Sequence, residues 1–286
     1  MVKKTLQRSI AGLFVGLAFT ALPSVSQATH SWGGYHWART TPQFTLKLGN
    51  NMTTTEWRGL LTQTSSDWNS GNSPVLTAVV AGSSSRCSMV AGTTQVCNRK
   101  YGNTGWLGLA SINITGGTHI TQGSAKMNDT YFTTAAYHNP NEKLHVVCQE
   151  VAHTFGLDHQ STDGSSQNSC MDYFSNTGAN ATSTLSTKPN AHDFQQLGII
   201  YTHLDSITTV ASIAALTAAN GTNGENESDD ENENSNNWGQ HTSQSADGRS
   251  STYERFNWDG SKTITHVFWT VEAASNCPSC DHRNGH

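Results

Sequence analysis

The stretch Cys148-Gln149-Glu150-Val151-Ala152-His153-Thr154-Phe155-Gly156-Leu157-Asp158-His159 decides how the rest of the chain is read. It opens inside a helix-like run that starts near Glu142. On an α-helix Gln149 and His153 point from one face, with Glu150 beside them. Gly156 can take a left-handed φ that ends the helix and turns the chain, so that His159 returns toward the same point. Gln149, His153 and His159 would then converge on a volume the size of a metal ion. Three protein ligands, an open fourth position and a nearby carboxylate to move protons are the parts of a catalytic zinc site.

At these residues the chain resembles the metzincin metallopeptidases, whose pattern is His-Glu-x-x-His-x-x-Gly-x-x-His followed by a turn containing Met. Glu150, His153, Gly156 and His159 fall on the pattern, and Gln149 stands where the family has its first His. Ser169-Cys170-Met171-Asp172-Tyr173 follows as the Met-turn; its Ser-x-Met-x-Tyr form is similar to astacins and serralysins, whereas Gly156-Leu157-Asp158-His159 looks more like a matrixin. The resemblance implies an α+β catalytic domain with a mixed twisted sheet, an active-site helix, a Met-turn and a C-terminal helix. It also implies Zn²⁺ held by His153 and His159 with Gln149 as a weak third ligand, Glu150 as general base, Met171 packed beneath the metal and Tyr173 steadying the oxyanion. The substrate would be an extracellular protein or peptide. An amide oxygen is a neutral acceptor and a poorer donor to zinc than imidazole. The alternative is therefore an inactive relative, a pseudoenzyme that keeps the fold as a binding module. His145 shares the face of Gln149, but two helical turns, about 12 Å, separate it from His153 and bar both from one ion. His119, His138 and His192 each read as surface or loop histidines.

Met1 to Ala28 carries Lys3, Lys4 and Arg8, an apolar run from Ile10 to Leu22 and the small-residue cleavage site Ser26-Gln27-Ala28, which is a secretory signal peptide. Pro23 and the following Ser residues make the run too short for a membrane anchor. Its removal leaves 13 Lys and Arg against 21 Asp and Glu, a net charge of −8. That balance excludes nucleic acid and anionic membranes as partners. The mature chain is expected to be a secreted, soluble monomer with no room before its first strand for a large inhibitory propeptide.

All six cysteines suit an oxidising compartment. Six cysteines admit fifteen pairings; the local arrangement favours Cys87 with Cys97 and Cys148 with Cys170, and Cys277 with Cys280 reads as a local disulfide rather than a metal knuckle. From Pro42 the pattern predicts a strand on Phe44, Leu46 and Leu48, a helix over 53–69, and strands over 74–81, 106–114 and 125–132. One of the later strands would form the upper sheet edge, where an extended peptide could add by main-chain pairing. Pro189-Asn190-Ala191-His192-Asp193 starts a second amphipathic helix.

The catalytic domain is expected over 29–205, a low-complexity acidic and Asn-rich linker over 206–248, and a β-hairpin with a Cys-x-x-Cys tail over 249–286. Glu225, Glu227, Asp229, Asp230, Glu231 and Glu233 are hard oxygen donors of the kind Ca²⁺ takes. They lack a loop pattern with a turning Gly and a terminal bidentate Glu, and the composition reads as a solvated linker. Asp259-Gly260 between two alternating runs is a hairpin signal.

Overall fold

Phe44, Leu46 and Leu48 set one face of a strand into the core, and in the computed structural model of the chain that strand lies inside a mixed sheet. The structure describes Met1 and residues 30–83, 86–212 and 235–284. The signal segment after Met1 and the carboxylate run of 225–233 lie outside those residues.

Nine strands form the sheet: β1 (His36–Trp37), β2 (Phe44–Asn51), β3 (Val75–Ala81), β4 (Thr93–Arg99), β5 (Trp106–Thr115), β6 (His119–Asn128), β7 (Gln240–Gln244), β8 (Ser250–Phe256) and β9 (Lys262–Trp269). Their spatial order is β3-β2-β4-β6-β5-β9-β8-β7, with β1 beside β6. The first part is parallel; β5 runs antiparallel to β6, and the C-terminal strands continue antiparallel from β5.

The structure departs from the sequence reading at four places. Strand β4 occupies what reads as a loop between Cys87 and Cys97. Its sequence, Thr-Thr-Gln-Val-Cys-Asn-Arg, shows no apolar alternation because Gln95 and Asn98 are buried through side-chain hydrogen bonds. Strand β6 begins at His119, ahead of the expected Ala125, and Asp129–Phe132 is a short helix, α2, capped by the Asn128 side chain. One of the later strands is expected to form an edge open to an added peptide; the edge of β5 is taken by β9 over eight paired positions from Ile114↔Lys262 to Trp106↔Trp269. Strand β7 falls within the expected linker; it is polar and largely exposed, so no hydrophobic period marks it.

Helix α1 (Thr55–Trp68) starts at Thr54, whose hydroxyl accepts from the Trp57 N–H, and buries Trp57, Leu61 and Trp68. Helix α3 (Pro140–His153) starts at Asn139 with Pro140 in its first turn, where a missing N–H costs nothing. Helix α4 (Ala191–Ile200) has a capping box between Asn190 and Asp193, and α5 (Val271–Asn276) follows β9. α3 packs on α1 and across β5 and β6. The main core lies on this face. A second cluster of Trp106, Leu109, Trp238, Tyr253, Val267 and Trp269 fills the other. β9 feeds both by strand alternation: Ile264 and Phe268 enter the main core, Val267 and Trp269 the second.

Disulfides join Cys87 to Cys97, Cys148 to Cys170 and Cys277 to Cys280, with Cα separations of 5.9, 5.9 and 5.3 Å. Among the described residues no helix is long and apolar enough to cross a membrane.

Candidate metal centre

Helix α3 ends at His153, and Gly156 turns the chain with a φ of 99°, a conformation that L side chains rarely adopt. A Cβ at Gly156 would also run into the Tyr35 carbonyl, so both backbone and space demand glycine here. The turn is pinned from outside: Trp32 N–H donates to the Gly156 carbonyl (2.8 Å) and Asp158 N–H to the His30 carbonyl (2.8 Å). His159 thereby returns to His153, with ring centroids 4.7 Å apart.

The third imidazole comes from strand β9. His266 stacks at 4.0 Å from the His153 ring and 4.7 Å from the His159 ring, and one nitrogen of each lies within 4.8 Å of the others. This cluster differs from the expected ligand set of His153, His159 and Gln149, and Gln149 is held by backbone carbonyls. Its amide nitrogen donates to the carbonyls of Cys170 (3.0 Å) and Asp172 (2.9 Å), which fastens the helix to the Met-turn and leaves Oε1 without a hydrogen-bond partner. His266 had a sequence signal: it stands between Ile264 and Phe268 at period two, a polar residue on the face that enters the core.

The unpartnered atoms agree with a metal. His153 Nδ1 lies 2.8 Å from the Leu157 carbonyl, which can only accept, so the proton sits on Nδ1 and Nε2 offers its lone pair. His159 Nδ1 contacts Asp158 Oδ1 (3.1 Å) and the Tyr173 hydroxyl (3.0 Å), the kind of outer support that orients a ligating histidine. The Nε2 atoms of His153, His159 and His266 are buried and have no hydrogen-bond partner. Three converging bare nitrogens fit a tetrahedral N-ligated cation such as zinc.

Glu150 lies beside them, with Oε2 3.5 Å from His266 Nδ1. The space beneath β5 exists because residue 108 is glycine: a Cβ there would sit 2.7 Å from both Glu150 Cγ and Val146 Cγ1. Burial pushes the Glu150 carboxyl up to about 8, against the lowering influence of His153 and His145. Burial, followed by the neighbouring His266, holds His153 and His159 well below the usual imidazole range, and burial alone brings His266 to about 4. Neutral imidazoles are the form that binds metal.

Other expected residues fall nearby in different roles. Tyr173 bridges His159 and the Ser250 hydroxyl of β8, so its oxygen is engaged by the hairpin and is not free to meet an oxyanion. Met171 is fully buried in the main core, its N–H bound to the Ser169 hydroxyl, which donates to Asp193 of α4 (2.6 Å). His145 contacts the Asp172 carbonyl at 3.0 Å and stays outside the cluster.

No protein-family model and no curated protein matches the sequence. Among solved structures the chain is similar to one described as "Structure of Myroilysin", with 14% identity, 60% of this chain and 82% of that chain covered, and a TM-score of 0.31. A likeness of that degree carries no argument about chemistry, which rests on the residues above.

Proposed function

We propose that the protein is a secreted zinc metallopeptidase folded in a latent form, with its C-terminal hairpin lying where substrate would lie. The single observation that carries this reading is the convergence of three imidazoles with bare Nε2 atoms beside a buried Glu150, on a helix and turn that keep the metzincin order. His153, His159 and His266 would hold zinc in the closed form. Zinc there supplies a Lewis acid that polarises a peptide carbonyl and acidifies water.

The chain's own residues do the rest. Glu150, ionised beside the cation, would accept a proton from the attacking water and deliver it to the leaving amine. β5 offers an antiparallel edge on which an extended extracellular peptide would pair. Both are covered by β9, which holds that edge and contributes His266. Turnover therefore requires β9 to leave β5. Gln149, with its free Oε1, is the residue of α3 available to replace His266, as the motif position implies.

Burial of the whole cluster favours a second reading, in which zinc staples the hairpin permanently and the domain is a pseudoenzyme. The two separate in an assay on an unstructured protein, using the zinc-loaded chain and Val267→Pro, which removes a ladder donor from the middle of β9. Under the proposal Val267→Pro cleaves faster than the parent, chelator abolishes the activity, and adding Glu150→Gln lowers it by about 10²- to 10⁴-fold with zinc retained. A folded, zinc-loaded Val267→Pro protein that cleaves nothing establishes the second reading instead.

A further inference from the structure

Away from this centre, the chain leaving α4 passes through His203 and Asp205, and Asp205 is clamped to the segment after β1. Its N–H donates to the Arg39 carbonyl (2.8 Å), and Arg39 N–H donates to Asp205 Oδ2 (2.9 Å). The carboxylate is thus fixed with Oδ1 facing three imidazoles: His119 Nε2 at 3.2 Å, His203 Nε2 at 3.5 Å and His36 Nε2 at 3.8 Å. His36 and His119 are direct partners in the parallel pairing of β1 with β6. The His36 ring stands 5.1 Å from that of His119 and 4.8 Å from that of His203.

His36 defines what the cluster is for. Its Nδ1 lies 2.9 Å from the Gly34 carbonyl, an acceptor only, so Nδ1 carries the proton and the neutral ring turns a bare lone pair toward Asp205. His36 is buried, with a side chain 7% exposed, and its Nε2 has no hydrogen-bond partner. A proton placed on that atom would still face Oδ1 from 3.8 Å, beyond hydrogen-bond reach. His36 Nε2 is thus a buried acceptor with no donor, aimed at an oxygen whose hydrogen-bond partner is His119 Nε2 (3.2 Å), and a cation between them would satisfy it.

Asp205 Oδ1 stands 3.5 Å from His203 Nε2 and 3.8 Å from His36 Nε2, a little wider than a closed ligand shell. Donors about 2.0–2.1 Å from a tetrahedral ion stand about 3.4 Å from one another. The nitrogens of His36 and His203 and the carboxylate oxygen of Asp205 all lie within 4.8 Å of each other. Gly34 and Arg39 orient two of the ligands from behind, as outer contacts do in metal sites. Two imidazoles and one carboxylate, with His119 against the same oxygen, suit zinc better than calcium or magnesium. We infer that His36, His203 and Asp205 form a second zinc-class metal site, joining the N-terminal segment to the exit of α4. His119 either completes the shell or positions Asp205.

The site is independent of the function proposed above, and its test keeps the two apart. Bound zinc per chain is measured by native mass spectrometry on the tag-free full chain titrated with Zn²⁺ and dialysed at a fixed free concentration. His203→Ala is the first variant, because that side chain is 55% exposed and its loss disturbs no core. Asp205→Asn is the second, keeping the Arg39 contact while removing the charge. The exposed His138→Ala is the control. Each of the first two should bind one zinc fewer than the parent, with affinity at that site weakened more than about 100-fold, beyond the 10- to 100-fold that loss of an outer contact costs. The control should match the parent. Equal zinc counts and affinities in parent, His203→Ala and Asp205→Asn would overturn the inference, whatever the parent's count.

Discussion

His153 and His159 reach the candidate metal centre from one short stretch of chain, whereas His266 reaches it from a strand more than a hundred residues on. The first two are fixed by local rules: a helical face, a left-handed glycine and a carbonyl that sets the His153 tautomer. The third is fixed only because β9 adopts one register on β5. Register errors move every side chain of a strand to the other face, so a single slip would send His266 to the tryptophan cluster and Val267 to the metal. The local half of the centre is therefore robust, and the distant half determines whether it is complete.

The sharpest contrast is expected between the two candidate third ligands in the closed form. His266→Ala should weaken zinc binding more than about 100-fold. Gln149→Ala should leave affinity within a few-fold of the parent while costing about 2 kcal/mol, because the buried Cys170 carbonyl loses its donor and the Asp172 carbonyl keeps only His145. Competition titrations and chemical unfolding read the two quantities separately. The reverse pattern would return Gln149 to the metal.

The local half can be loosened without touching a ligand. Cys148 and Cys170 close a loop with a sequence separation of 22 between α3 and the Met-turn. The double Ala variant should lose about 3 kcal/mol in urea unfolding. An unchanged midpoint would mean that the Gln149 bonds and the Ser169–Asp193 contact hold the corner unaided.

Acid should act on the same comparison. Burial holds His266 at about 4 against an ordinary 6.5, and His153 and His159 lie low as well. Because these folded values are depressed, the unfolded chain binds more protons between about 6.5 and 4, and stability falls as pH falls through that window. His266 alone accounts for at most about 3 kcal/mol. Glu150, raised to about 8, works the other way: its contribution is full below about 4.5 and lost as pH rises through 8. Three imidazoles outweigh one carboxyl, so the metal-free chain should melt lower at pH 4.5 than at pH 6.5. His266→Leu should flatten the difference, and a profile unaffected by that variant would show that His266 is not buried as described.

A smaller effect is expected from Gly108→Ala. The added Cβ would crowd Glu150 and Val146 at 2.7 Å and cost about 1–3 kcal/mol by overpacking, with zinc content retained. Thermal melts with metal analysis would check it, and a neutral result would mean that β5 moves freely away from α3.

Much of the candidate site was legible because its parts are close in sequence. Helical spacing placed Glu150 beside His153, and Gly156 announced the return of His159 before any tertiary contact was known. The helix caps at Thr54, Asn139 and Asn190, which the structure adds, are equally local, each side chain satisfying its own first turn. β4 and β7 were not legible, since polar strands carry no hydrophobic period. His266 was legible only in part: alternation marked its face, but nothing local says which strand edge that face will meet.

By itself the sequence determined the helical face that sets Glu150 beside His153 and the glycine turn that brings His159 back, because helix spacing and a left-handed φ act within a few residues. Only the tertiary structure decided that β9 closes the edge of β5, that Gln149 binds carbonyls while His266 joins His153 and His159, and that His36, His119, His203 and Asp205 meet at all. Those choices depend on pairing and burial between segments far apart in the chain, where many partners have similar local propensity and packing of the whole core selects one.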